Sequence, residues 1–336
     1  TAKSKKMFIE KLLSGTDQTE ENFTAEINGY SFVGASPSNY NDLKPAELEN
    51  WIMKEIDKAI AKDSTNANAD GTFDEGVIPN STKPVFYVNH HPIKHSRQFA
   101  YNFPCDYSID DTYTSEEFAE FLSKRPQVVS FYGHCHTQQQ AAGAIYQNGS
   151  AIIGLPLISN GDGFSATYGA VTTWQTLYGG GQGDLLEVDE NNVVNIIKYD
   201  LTTKEYIGEP WVIDIPSIVS DMTNSNPDDD TAHQLYSADK RTADKLSVPR
   251  WDADAKIIIT NMGTGSVRMH INHSDVLLTE TPNQQDNILA GWHIILKDSY
   301  GAKVVDEYWD SGYYKVPAVT YTDEILEGLG YNNTYT

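Results

Sequence analysis

The chain has 336 residues, with 47 acidic against 24 basic side chains and a formal net charge of −23. That field repels phosphate backbones and anionic lipid surfaces, so neither nucleic acid nor a membrane surface is an expected partner. No run of apolar residues is long enough to span a membrane, and 39% hydrophobic with 11% aromatic residues is enough to fill the cores of two domains.

The first periodic segment follows Asp42. Asp42 can cap a helix with Pro45 in its first turn, and Leu48, Trp51, Ile52, Ile56 and Ile60 place one apolar face over about four turns. The spacing predicts a helix that covers a sheet. Residues 62–80 then turn polar and read as a surface loop. Next, Pro84-Val85-Phe86-Tyr87-Val88 is a short apolar run that ends in Asn89-His90-His91-Pro92, a strand with histidine at its exit. A helix is expected over 114–124, with Thr114 as N-cap, Glu117 three residues on, and a stripe of Phe118, Phe121 and Leu122.

The pattern then recurs. Val128-Val129-Ser130-Phe131-Tyr132, bounded by Pro126 and Gly133, reads as a buried strand that leads into His134-Cys135-His136. On extended backbone, residues two apart point the same way, so His134 and His136 project to one side and Cys135 to the other. A His-x-His pair alone is as often incidental as functional, but five of the nine histidines lie at or just after these two strand exits. In a parallel sheet, ligands gather outside the carboxyl ends of strands, and two exits joined by one helical crossover can share a site. Neutral imidazole is the commonest metal ligand. Cys135 faces away and reads as a small buried filler; with Cys105 it allows at most one disulfide and leaves the redox compartment open.

Beyond this motif, residues 161–183 carry Tyr168, Trp174 and Tyr178 between glycines and read as a long loop bordering the cleft, in which Trp174 and Tyr178 are expected to shape substrate choice. Asp162, within Asn160-Gly161-Asp162-Gly163, belongs to a turn signal. A hairpin is expected over 184–197 around a turn at 189–192, with the sheet ending near 211–215. The composition of 216–245 marks a linker. Its acidic run at 228–230 lacks the spacing of a calcium loop and reads as a solvated face. From 246 onward, short strands at 255–260, 266–271, 291–296 and 303–308 alternate with turns, the pattern of a β-sandwich. His270, His273 and His293 are assigned to its sheet faces.

Val88-Asn89-His90-His91-Pro92 followed by Gly133-His134-Cys135-His136 resembles the last two metal motifs of the calcineurin-like metallophosphoesterases, the His-x-Pro and Gly-His-x-His elements. Residues 27–34, 48–60, 151–154 and 185–188 resemble that family's flanking strands and helix, so the likeness covers about residues 1–215. It implies an α/β fold, the C-terminal half of a metallophosphoesterase-type α/β/β/α sandwich, over 1–215. After the linker, 246–336 is expected to be a small all-β sandwich that resembles the fibronectin-III-like or immunoglobulin-like domains appended to bacterial enzymes of this kind. An extracellular or cell-surface location is the corresponding expectation.

Carried over by residue, the resemblance implies that His90 and His134 bind one metal and His136 a second. Beside them, His91 is the catalytic candidate, a donor to phosphate or to a ligand, with an exposed loop histidine as the equal alternative; for His95 that alternative is the stronger reading. The cofactor is then a pair of Mn, Fe or Zn ions. Such a pair holds the phosphoryl oxygens, lowers the pKa of a bridging water so that hydroxide attacks in line, and neutralises charge on the leaving oxygen. The expected activity is hydrolysis of a small-molecule or protein phosphoester.

The departures from the family matter as much. Its Asp-x-His, Gly-Asp-x-x-Asp and Gly-Asn-His-Asp/Glu motifs have no counterpart upstream of these histidines. The expectation is a chain that begins inside the catalytic domain, is weakly active alone and needs its N-terminal half as partner. Residues 329–336 similarly read as the lead-in to a strand cut short. The alternative from another class is a binding protein, with a degenerate phosphoesterase scaffold and a β-domain that attaches to carbohydrate or to a surface partner.

Overall fold

Runs that are almost wholly apolar, such as 85–88 and 128–132 with its single Ser130, suit strands covered on both faces, and they form the centre of a six-stranded sheet. The computed structural model describes residues 22–36, 45–96, 114–133, 139, 144–156, 161–168, 171–177, 181–224, 232–241, 248–278, 289, 291–310, 320–330 and 333–336. The sheet comprises β1 (Phe23–Ile27), β2 (Tyr30–Gly34), β3 (Val85–Asn89), β4 (Val128–Tyr132), β5 (Ile145–Asn148) and β6 (Ser150–Gly154). Their order is β1-β2-β3-β4-β6-β5. The inner four strands are parallel, and β1 and β5 close the edges antiparallel.

Alternation divides the side chains between two cores. Val85, Tyr87, Val128 and Tyr132 face the crossover helices α1 (Pro45–Ala61) and α2 (Glu116–Ser123), meeting Leu48, Ile52, Ile56, Ile60, Phe118 and Leu122. Those α1 positions are the expected stripe, although Asp42, its expected cap, lies outside the described residues. Phe86, Val129, Phe131 and Ile153 face the other way, onto Val194, Ile196, Trp211 and Ile213 of a second sheet. That sheet contains β9 (Gln182–Val188), β10 (Val193–Asp200), β11 (Glu205–Tyr206) and β12 (Trp211–Asp214). The observed layers are therefore helices, sheet and sheet, in a strand-rich α/β chain. Among the described residues no second helical layer covers the far face, where Leu185, Tyr206 and Val212 are exposed.

Three local expectations change. The N-cap of α2 is Ser115, whose hydroxyl accepts from Phe118 N at 3.1 Å, and not Thr114. Thr114 Oγ1 instead accepts from Lys94 N at 2.9 Å, while the Glu49 carboxylate on α1 takes both Ser115 N and Ser115 Oγ, at 2.8 and 2.6 Å. A long-range carboxylate thus shifts the cap by one residue. The expected loop after residue 160 contains an antiparallel hairpin, β7 (Gly161–Tyr168) with β8 (Val171–Leu177), because its Thr, Val and aromatic residues favour extended pairing more than its glycines oppose it. The expected linker begins with a helix, α3 (Ile215–Thr223), capped by Asp214, and Ile215, Ile218 and Val219 join the inter-sheet core. Tyr236 is buried in the same core, and its hydroxyl accepts from Val212 N at 2.9 Å.

One turn is intolerant of any side chain. Gly149, at φ +69° between β5 and β6, lies so close to Ser123 that a Cβ would overlap its carbonyl. Gly149→Ala is expected to cost about 2 kcal/mol or more from strain and overlap. Gly76→Ala, at φ +77° with open space around it, should lose only the backbone part. Urea midpoints of the two variants provide the comparison.

The C-terminal region is all-β. Strands β14 (Ile257–Gly263), β15 (Ser266–Asn272) and β19 (Tyr321–Leu326) form one sheet, and β17 (Gly291–Lys297) pairs with β18 (Lys303–Asp310). A short ribbon joins β13 (Arg250–Trp251) to β16 (Val276–Leu277). Met269, Ile271, Trp292, Trp309 and Leu326 form the core. His270 and His293 lie on strands as expected, whereas His273 starts a 3-10 turn. Residues 333–336 are not in a strand, though Thr336 and Lys297 exchange backbone hydrogen bonds of 2.8 and 2.9 Å. Among the described residues no helix is long and apolar enough to cross a membrane.

Candidate functional site

The first sheet brings its two histidine-bearing exits together. β3 and β4 are parallel neighbours in a register that ends with Asn89 opposite Tyr132, so His90 and Gly133 leave the same edge side by side. A Cβ built on Gly133 would stand 3.4 Å from His90 Nδ1 and 3.8 Å from the His90 carbonyl oxygen. The segment bearing positions 134 and 136 therefore starts against the His90 ring.

The two histidines of the first exit have different surroundings. His90 is exposed, and His91 is 7% exposed. Their rings meet edge to face at 5.0 Å and 83°. His134, Cys135, His136 and Tyr178 lie outside the described residues, and Trp174 is placed only as a position on β8 opposite Phe164. His95 is exposed and lies within hydrogen-bond distance of Glu116, at 2.8–2.9 Å.

The described donors fit part of a metal site. An exposed imidazole at a strand exit is a suitable ligand. Among the described residues, however, no group of three or more His, Cys, Asp and Glu side chains gathers to hold an ion.

Other residues at this edge carry no motif. Asn89, 7% exposed, holds its amide without a hydrogen-bond partner next to His90. A polar residue closing an otherwise apolar strand was its only signal. Gln139, three residues past His136, donates its N–H to Gln182 Oε1 at 3.0 Å and its side-chain amide to Gly154 O at 2.9 Å. These bonds fasten the chain after the second exit to the end of β6 and to the start of β9, on the second sheet.

On the same inward face of β9, two residues along, the carboxylate of Asp184 is buried without a hydrogen bond. Burial pushes its pKa up to about 7 against the opposing pull of Lys198, the residue directly across on β10. The inter-sheet core thus turns from apolar, at Val188 and Val194, to ionisable at Asp184 and Lys198 as it approaches the edge that carries the histidines. Lys198 is 5% exposed and lies over the Trp211 ring at 4.4 Å. Comparison of the chain with family models, with curated proteins and with solved structures finds no match.

Proposed function

We propose that this chain is the histidine-bearing part of a metal-dependent phosphoester hydrolase. The observation that supports it is the adjacency of the two exits, with His90 against Gly133 at the carboxyl edge of neighbouring parallel strands, where α/β sheets bind ligands. In this reading His90, His134 and His136 hold a pair of Mn, Fe or Zn ions, which supply Lewis-acid stabilisation of phosphoryl charge and activation of water. His91 backs His90 from the buried side, Asn89 offers an amide to the same edge, and Gln139 with Gln182 fixes the loop after His136. Trp174 and Tyr178 are the residues assigned to selecting the alcohol part of a small-molecule or protein phosphoester. An extracellular or cell-surface setting belongs to the same proposal.

The test is hydrolysis of monoester and diester model substrates with Mn²⁺, by this chain and by a longer form carrying any upstream residues. His134→Ala is expected to lose at least about a hundredfold in kcat, the scale of removing one charge-stabilising group. Full activity in that variant contradicts the assignment.

A second reading, a binding protein with an inactive scaffold, is favoured by one feature of the β-domain. Trp251 is half-exposed and stacks on buried Trp292 at 5.3 Å and 20°, leaving an indole face open to a sugar ring or a surface partner. Metal-independent retention on a glycan, lost in Trp251→Ala, would support it.

A further inference from the structure

A cleft of about 270 Å³ runs between α2 and the β5–β6 hairpin, on the helix-facing side of the sheet, and the segment that follows the first histidine exit, Ile93 to His95, forms one of its sides. Ser150 and Ile152 alternate onto its floor, with Tyr146 paired across from Ile152. Ser150 is 0% exposed, and its hydroxyl makes no hydrogen bond. Buried hydroxyls are normally partnered because desolvation without a bond is costly, so Ser150 offers an unfilled hydrogen-bonding position in a wall that also carries the polar Ser123 and Asn148. Ile93 and Ile152, 3% and 4% exposed, supply its apolar part.

The mouth of the cleft is charged. Lys94 Nζ lies 3.1 Å from Glu116 Oε1, and His95 Nε2 lies 2.8 Å from Glu116 Oε2. The Lys94 side chain is 9% exposed, whereas Glu116 is 64% exposed and reaches in from the first turn of α2. Hydrogen bonds from His95, then from Lys94, hold the Glu116 carboxyl below its usual range. Glu120, the next acidic residue of the wall, is engaged by Lys124 at 2.8 Å. An ion pair whose acidic partner is exposed is weak and easily exchanged, so the carboxylate of Glu116 marks an anion position that another carboxylate can take.

We propose that this cleft binds a small organic carboxylate. Its acid group replaces that of Glu116 on Lys94 and His95, its body lies on Ile93 and Ile152, and a polar tip bonds to Ser150. The volume equals roughly nine waters, which suits a molecule the size of a hydroxylated phenylacetate. Lys94 supplies the fixed positive charge at the mouth, facing the carboxylates of Glu116 and of the Lys124-paired Glu120.

The test titrates 4-hydroxyphenylacetate into the full chain by calorimetry and saturation-transfer NMR, with phenylacetate and 4-hydroxyphenylacetamide as comparators. Saturable binding of the hydroxylated acid is expected, and the uncharged amide should bind about tenfold more weakly or worse. Glu116→Gln should tighten binding about three- to fivefold by removing the competitor, a gain that a purely structural role for the ion pair would not produce. Ser150→Ala should erase the preference for the 4-hydroxyl compound over phenylacetate. Lys94→Met should abolish binding; Glu116 is exposed, so its variant keeps the test decisive where the lysine variant fails to fold. No saturable binding by either wild type or Glu116→Gln at 10 mM probe, or equal binding of acid and amide, overturns the proposal.

Discussion

Replacing Arg125 with alanine is expected to cost about 3–5 kcal/mol of folding stability, the scale of breaking a buried ion pair from one side. Arg125 is 6% exposed. Its Nε and Nη2 donate to the two Asp57 oxygens at 2.7 and 3.2 Å, and Nη1 donates to Lys124 O at 3.1 Å and to Val77 O at 3.4 Å. The guanidinium also lies over the rings of Phe121 and Phe73, at 4.7 and 5.3 Å. One side chain therefore joins α1, the polar loop and the end of α2. Truncation leaves the largely covered Asp57 carboxylate, 13% exposed, without its counter-charge, and that uncompensated charge dominates the loss. Because paired removal eliminates both desolvation costs, Asp57→Leu with Arg125→Met should recover most of the stability in urea denaturation. Equal instability of the single and double variants would contradict this division.

Asp184→Asn is expected to stabilise the chain at pH 8 by roughly 2 kcal/mol and to leave it unchanged at pH 4. The carboxyl is raised from 3.8 to about 7 in the folded state, chiefly by burial. The folded chain thus holds this proton over a range where the unfolded chain has released it, and stability falls as pH rises from about 4 to 7. Below that window both states are protonated and the residue contributes fully; above it the folded state carries a buried anion. An amide removes the titration. It also removes attraction to Lys198, the smaller influence, so the gain is less than the full shift implies. Thermal unfolding of wild type and variant from pH 4 to 8 should give curves that meet at the acid end and separate above neutrality. Parallel curves would show that Asp184 does not set the slope.

The parts of the fold visible in the sequence are those whose signal is local. β3 and β4 are covered on both faces, so nearly every position is apolar, Asn89 and Ser130 excepted, and α1 repeats its isoleucines at helical spacing. Their juxtaposition at His90 and Gly133 follows from one crossover and a parallel register. Other features depend on distant partners. Ser115 caps α2 because Glu49 arrives from another helix, and Asp184 becomes a buried acid only through packing that removes it from water, against the pull of Lys198 opposite. Tyr236 lies in a polar stretch that reads as linker, yet its ring fills the inter-sheet core and its hydroxyl receives Val212 N. The β7–β8 hairpin was hidden by glycines at both ends of a segment whose interior favours strands. Of the candidate site, the strand exits and the burial contrast between His90 and His91 are described, and positions 134 and 136 lie outside the described residues.

Anomalous diffraction from crystals of this chain soaked in millimolar Mn²⁺ or Zn²⁺ addresses the shared-metal proposal most directly. Metal peaks at the exits of β3 and β4, at roughly 2.1 Å from imidazole nitrogens of His90, His134 and His136, are the expected result. Rings of these three residues that point apart, or peaks that touch none of them, would contradict it.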